Sequence, residues 1–189
     1  MPTLALPALR MLNRFVKARS VLSVGMLVEE QTMSAKYLIV AGVDGSEGGR
    51  RALDWAAQEA VARDGAVQAV IAWSWDGMEY GPIAATRPEE EKSRAAQVLD
   101  QEIAQLINRR GSHVPIFAEV IEGRPADVLA HAARSADLLA LGSHGHSRVH
   151  HTVLGSVSEE CIRKASCPIV VIPVSVVRHE PTAEPVLRQ

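Results

Sequence analysis

Leu141–Ser156 reads LGSHGHSRVHHTVLGS, sixteen residues that hold three glycines and four histidines. Two chemistries compete for the stretch. His144, His146, His150 and His151 are imidazoles of the kind that zinc and nickel accept. Gly142, Gly145 and Gly155, spaced G-x-x-G-x9-G and followed by Ser156, suit a backbone loop around a phosphate. The flanks decide between them. DLLALGS before the loop is a short apolar run ending in glycine, SVSEECIRKAS after it has helical spacing, and CPIVVIP is a second apolar run.

A loop that leaves a strand and opens a helix meets that helix where its first N–H groups lack internal partners and attract an anion. Glycine at the strand end admits positive φ and lets a ligand approach without meeting a Cβ. No Cys, Asp or Glu stands between Gly142 and Ser156 to complete a metal site, and nothing in the sequence stiffens the loop. The glycine reading is therefore preferred, with no metal and with the histidines lining the loop. The spacing matches neither G-x-x-x-x-G-K-[ST] nor G-x-G-x-x-G.

Outward from the loop, the chain alternates regularly. KYLIVAGVD is an apolar strand running into Asp44, Gly45 and Ser46, and Ser46 is a good helix N-cap. EGGRRALDWAAQEAVARDG repeats Leu53, Ala56, Ala57, Ala60 and Val61 at helical spacing and closes at Gly65. AVQAVIAWSW is a second strand, and DGMEYGPIAATRP is a surface loop marked by Gly and Pro. From Pro88 to Arg110 runs the longest helix, with an apolar stripe of Ala95, Val98, Leu99, Ile103, Leu106 and Ile107. VPIFAEVIEG is a third strand and RPADVLAHAARSA a short helix. The order β-α-β-α-β-α-β-α-β predicts a doubly wound, five-stranded parallel sheet with helices on both faces. Ligands of such sheets sit beyond the carboxyl ends of the strands, where the strand order reverses. Asp44–Ser46 and Gly142–Ser156 both fall there.

Composition supports that class. Of 189 residues 47% are hydrophobic but only 4% aromatic, so the core is aliphatic, as strands buried on both faces require. A net charge of −2 gives no basic face for nucleic acid, and no apolar run approaches the ~20 residues that span a bilayer. Cys161 and Cys167 form neither a zinc ribbon nor a disulfide framework, which points to reduced thiols and a cytoplasmic protein. Residues 1–34 carry Arg10, Arg14, Lys17 and Arg19 among apolar residues and are expected to be a disordered or loosely helical extension. A domain at 35–174 and a tail at 175–189 complete the organisation.

These residues resemble the universal stress protein family. The likeness runs from about Lys36 to Val174 and rests on VDGS after the first strand, GRPADVLAHAARSADLLALGSHG, and LGSVSEECIRKASCPIVVIP. It implies a Rossmann-like fold of the adenine nucleotide alpha hydrolase kind, with strand order 3-2-1-4-5. It also implies ATP binding, possibly with Mg²⁺, since ATP-binding members keep the three glycines. Residue by residue, it makes Asp44 the acid beside the adenosine and Ser74 a backbone contact to the adenine. It sets Leu141 and Gly142 against the adenosine, and Gly145, Gly155, Ser156 and Val157 against the phosphates and ribose. The function implied is that of a nucleotide-responsive stress regulator with at most slow hydrolysis. A nucleotide hydrolase using Arg148 and a loop histidine, or a cyclic AMP binder, are the alternatives.

The last strand is apolar, lacks an internal charge and falls at a sheet edge, which invites pairing with another chain. A two-fold pairing of Ile169, Val170, Val171 and Ile172 with their own copies is the expected homodimer, and the resemblance agrees.

Overall fold

The computed structural model describes residues 36–75, 87–111, 114–145 and 154–174. The chain separates into two units, Met1–Ala35 and Lys36–Gln189, and the first lies outside the described residues, as does the tail from 175.

The second unit is built as β1 (Leu38–Gly42), α1 (Glu47–Ala62), β2 (Ala66–Trp73), α2 (Pro88–Arg110), β3 (Ile116–Glu122), α3 (Pro125–Ala132), β4 (Leu138–Gly142), α4 (Ser156–Lys164) and β5 (Ile169–Ile172). A 3₁₀ turn, Ala133–Ser135, follows α3. The five strands form one sheet in the order β3-β2-β1-β4-β5, every neighbour parallel. Strand order reverses between β1 and β4.

Alternation along each strand feeds two aliphatic layers. Ile39, Ala41, Val67, Ala69, Ile71, Leu138 and Ala140 meet Leu53, Ala56 and Ala60 of α1 and Ala95, Leu99 and Leu106 of α2. Val40, Val70, Leu139 and Leu141 meet Ala126, Val128 and Leu129 of α3 and Cys161 of α4. The central strands β1 and β4 are buried on both faces, which is why they read as unbroken apolar runs.

Two details depart from the sequence pattern. Val61 is 60% exposed, because it sits about a quarter-turn from the centre of the α1 stripe and in its last turn. Glu102 is buried on α2 between Leu99 and Leu106, where the periodicity of apolar residues gives no sign of an acid.

The ends of α2 follow helix chemistry. Pro88 opens it, Glu89–Glu91 and Arg109–Arg110 complement its dipole, and Gly111, with φ 81°, returns its N–H to the Ile107 carbonyl at 2.7 Å. Arg110 then grips Asp54 of α1 through two bonds of 2.6 Å.

Candidate functional site

Three strand ends build a crevice at the reversal point. After β1, Asp44 folds back on its own loop. Its Oδ1 accepts the Ser46 N–H at 2.9 Å and the Ser46 hydroxyl at 2.6 Å. The Ser46 oxygen accepts the Gly49 N–H at 3.1 Å, so the residue that anchors Asp44 also caps α1. Gly45 between them has φ 78° and lies over Val98 of α2, so no larger residue suits that position.

After β4, the backbone of Gly142 runs against that of Gly48 in the first turn of α1; a Cβ on Gly142 would enter the Gly48 backbone, and one on Gly48 would enter the His144 carbonyl. The next residue, Ser143, is buried and fully used. Its N–H goes to Ile172 at 2.8 Å, its carbonyl accepts the Gly155 N–H at 2.7 Å, and its Oγ accepts the Val174 N–H at 3.2 Å. Buried Ser158 of α4 donates its hydroxyl to the Gly142 carbonyl at 2.7 Å. The start of α4 is thus tied at two points to the end of β4. Because Gly155 spends its own N–H on Ser143, the donors left at this helix start are those of residues 156–158.

The two loops touch. A Cβ on Gly145 would stand 2.5 Å from Asp44 Oδ2, so the second carboxylate oxygen lies directly against the second glycine of the motif.

Strand β2 supplies the third wall. The Val70 carbonyl accepts the Val43 N–H, while the Trp73 carbonyl accepts the Gly123 N–H beyond β3. In a parallel ladder alternate residues turn their N–H and C=O to opposite neighbours. Even positions of β2 therefore face β1, and at Ala72 the β1 ladder has already ended, just before Ser74 leaves the strand. Trp75 beside it is 45% exposed.

All eight residues singled out for a nucleotide fall in the described structure. Asp44, Gly142, Gly145 and Gly155 come together where β1 and β4 end, Ser156 follows Gly155 at the start of α4, and Ser74 follows the end of β2. Leu141 and Val157 turn their side chains into the α3/α4 layer, so only their backbones face the loop. His144 has its Nδ1 3.2 Å from Ser143 Oγ, whereas His146, Arg148, His150 and His151 lie outside the described residues.

Sequence reasoning passed over Gly48, Ser143 and Ser158. The adjacent glycines just inside a helix start were the available signal for Gly48. Nothing marked the two serines, whose partners are backbone atoms of distant residues.

Burial works against thiolate formation at both cysteines. Cys161 is fully buried, and desolvation pushes its thiol up to about 11; burial also raises that of Cys167. No helix among the described residues is long and apolar enough to cross a membrane.

Comparison with known proteins agrees with this geometry. The model of the universal stress protein family matches residues 38–173. Universal stress protein Rv3134c of Mycobacterium tuberculosis is 32% identical over 147 residues, covering 78% of this chain and 50% of that protein. The chain spans about half the length of the curated relatives it matches. Among solved structures, a universal stress protein in complex with cAMP superposes with a TM-score of 0.57 at 23% identity, over 74% of this chain and 98% of that one. The universal stress protein from Archaeoglobus fulgidus in complex with dAMP gives a TM-score of 0.53 at 23% identity, over 71% and 95%.

Proposed function

Because the chain belongs to the universal stress protein family, we propose that it binds an adenine nucleotide, ATP first, and acts as a nucleotide-responsive regulator rather than a turnover enzyme. The observation that carries this reading is the meeting of the Asp44 carboxylate with Gly145 at the strand-order reversal. An acid suits hydroxyls or an amino group and repels phosphate, whereas a glycine loop and a helix start suit phosphate. The crevice offers the two side by side, in the order a nucleoside phosphate presents them.

In this assignment Asp44 takes the ribose and the Ser74 backbone takes the adenine edge. Leu141 and Gly142 border the adenosine through their backbones, and Gly145, Gly155, Ser156 and Val157 surround the phosphates. Efficient phosphoryl transfer needs a metal-holding carboxylate, a positioned base and a cationic clamp. Asp44 already spends one oxygen on Ser46, which favours binding over chemistry. Bound Mg²⁺ would accompany the phosphates rather than a protein cage. The cytoplasm, where ATP is abundant and thiols stay reduced, is the compartment this function suits.

Cyclic AMP is the second reading, favoured by the cAMP named for one structural neighbour. Calorimetric titration of the full chain with ATP and with cyclic AMP tests both. Tighter binding of ATP is expected; binding of cyclic AMP alone would replace the first reading with the second, and binding of neither would end both.

A further inference from the structure

Among the described residues, the one buried acid is Glu102, in the α1/α2 layer. Its Oε2 lies 3.3 Å from Arg50 Nε, yet the two are misaligned, and neither atom makes a hydrogen bond. Glu102 is 6% exposed, while the Arg50 side chain reaches partly into solvent. An ion pair whose carboxylate is buried, and whose facing atoms make no hydrogen bond, is a poor source of stability, since desolvation of the acid offsets the attraction. Its effect must lie in what it holds in place.

Arg50 stands in the first turn of α1, with its N–H on the Ser46 carbonyl at 3.0 Å. Ser46 in turn holds Asp44 through two bonds. One turn before Glu102 on α2 is Val98, the residue beneath Gly45. Helix α2 therefore meets the Asp44 loop at both ends: Val98 under Gly45, and Glu102 on Arg50. The rest of the α2 contact is an aliphatic stripe, Ala95, Leu99, Ile103 and Leu106, which tolerates small slides and rotations, and the Arg110–Asp54 pair in the last turn, far from the Asp44 loop. Glu102 on Arg50 fixes the part of α2 nearest the Asp44 loop, as Arg110 on Asp54 fixes its end.

We infer that Arg50 and Glu102 are positioning residues, an internal register pin that sets α2 beneath the Asp44–Ser46 loop and so fixes the acid of the crevice. The inference rests on the proposed nucleotide site for its functional consequence, but not for its structural content.

Two variants test it in the full-length protein: Glu102→Gln, and the double substitution Arg50→Met with Glu102→Leu. A role in stability alone predicts that the double variant melts lower and that its folded fraction binds ATP normally. The pin predicts the opposite pattern. The double variant melts at or above wild type, while ATP affinity falls roughly tenfold in both variants. Amide hydrogen exchange at Ser46, Gly49 and Arg50 quickens by a similar factor, with the β1 and β4 amides unchanged. Unchanged exchange at those three amides in the double variant overturns the inference. Wild-type protein that binds no adenine nucleotide overturns the reading of the crevice instead, and the exchange result then still decides whether the pin exists.

Discussion

Asp44 accepts two bonds from Ser46 and sets its other oxygen against Gly145. The Asp44 side chain that caps its own loop is the one proposed to orient a ribose, through the oxygen that Ser46 leaves over. Glycines divide more sharply. A Cβ on Gly142 points into the Gly48 backbone, so Gly142→Ala is expected to destabilise the fold by roughly 2 kcal/mol. A Cβ on Gly155 meets the Ser143 carbonyl at 3.3 Å, a contact that a few tenths of an ångström relieves, so Gly155→Ala keeps most of the stability. Urea unfolding of the two variants checks the contrast, and equal losses would contradict it.

The same scale gives a pH dependence. Burial holds the Cys161 thiol neutral up to about pH 11 in the folded chain, against an ordinary value of 9.0. Between those values the unfolded chain loses a proton that the folded chain keeps, so the Cys161 contribution to stability declines as pH rises through that window. Replacing Cys161 with Ala is expected to flatten the alkaline limb of the stability curve. Native protein at pH 8 should leave this thiol unmodified by a maleimide.

At the scale of elements, the join between β4 and α4 is held by Ser158 on Gly142 and by Gly155 on Ser143. Ser158→Ala leaves the partly buried Gly142 carbonyl without this donor, which costs about 1 kcal/mol. It is also expected to speed amide exchange in the first turn of α4 more than in α3. Exchange that quickens equally in both helices would assign the serine to general packing. Most of this architecture was legible in the sequence. Strands β1 and β4 show as apolar runs because helices cover both of their faces, and α2 shows through Pro88, its acidic start and Gly111. Ser158 and Ser143 were not legible, because their partners are backbone atoms brought close only by the parallel crossover. Glu102 was equally hidden, since its partner sits on another helix and an acid on a helical stripe reads as solvent-facing.

For the whole molecule, β5 ends the sheet, and all four of its residues are only partly covered. We propose that two copies pair through Ile169–Ile172 about a two-fold axis, which would complete the burial that one chain leaves unfinished. Val171→Lys sets like charges close to that axis and is expected to give a monomer in light scattering with the fold intact. A wild-type chain that is already monomeric at micromolar concentration would refute the pairing.

The central claim is that an adenine nucleotide sits where β1, β2 and β4 end. Titrating ¹⁵N-labelled full-length protein with ATP and following its amide resonances tests that claim most directly. The account predicts saturable shifts at Asp44–Ser46, Ser74, Leu141–Gly145 and Gly155–Val157, with α3 and the start of β1 unmoved. Saturation with shifts confined to other surfaces, or no shift at millimolar ATP, would contradict it.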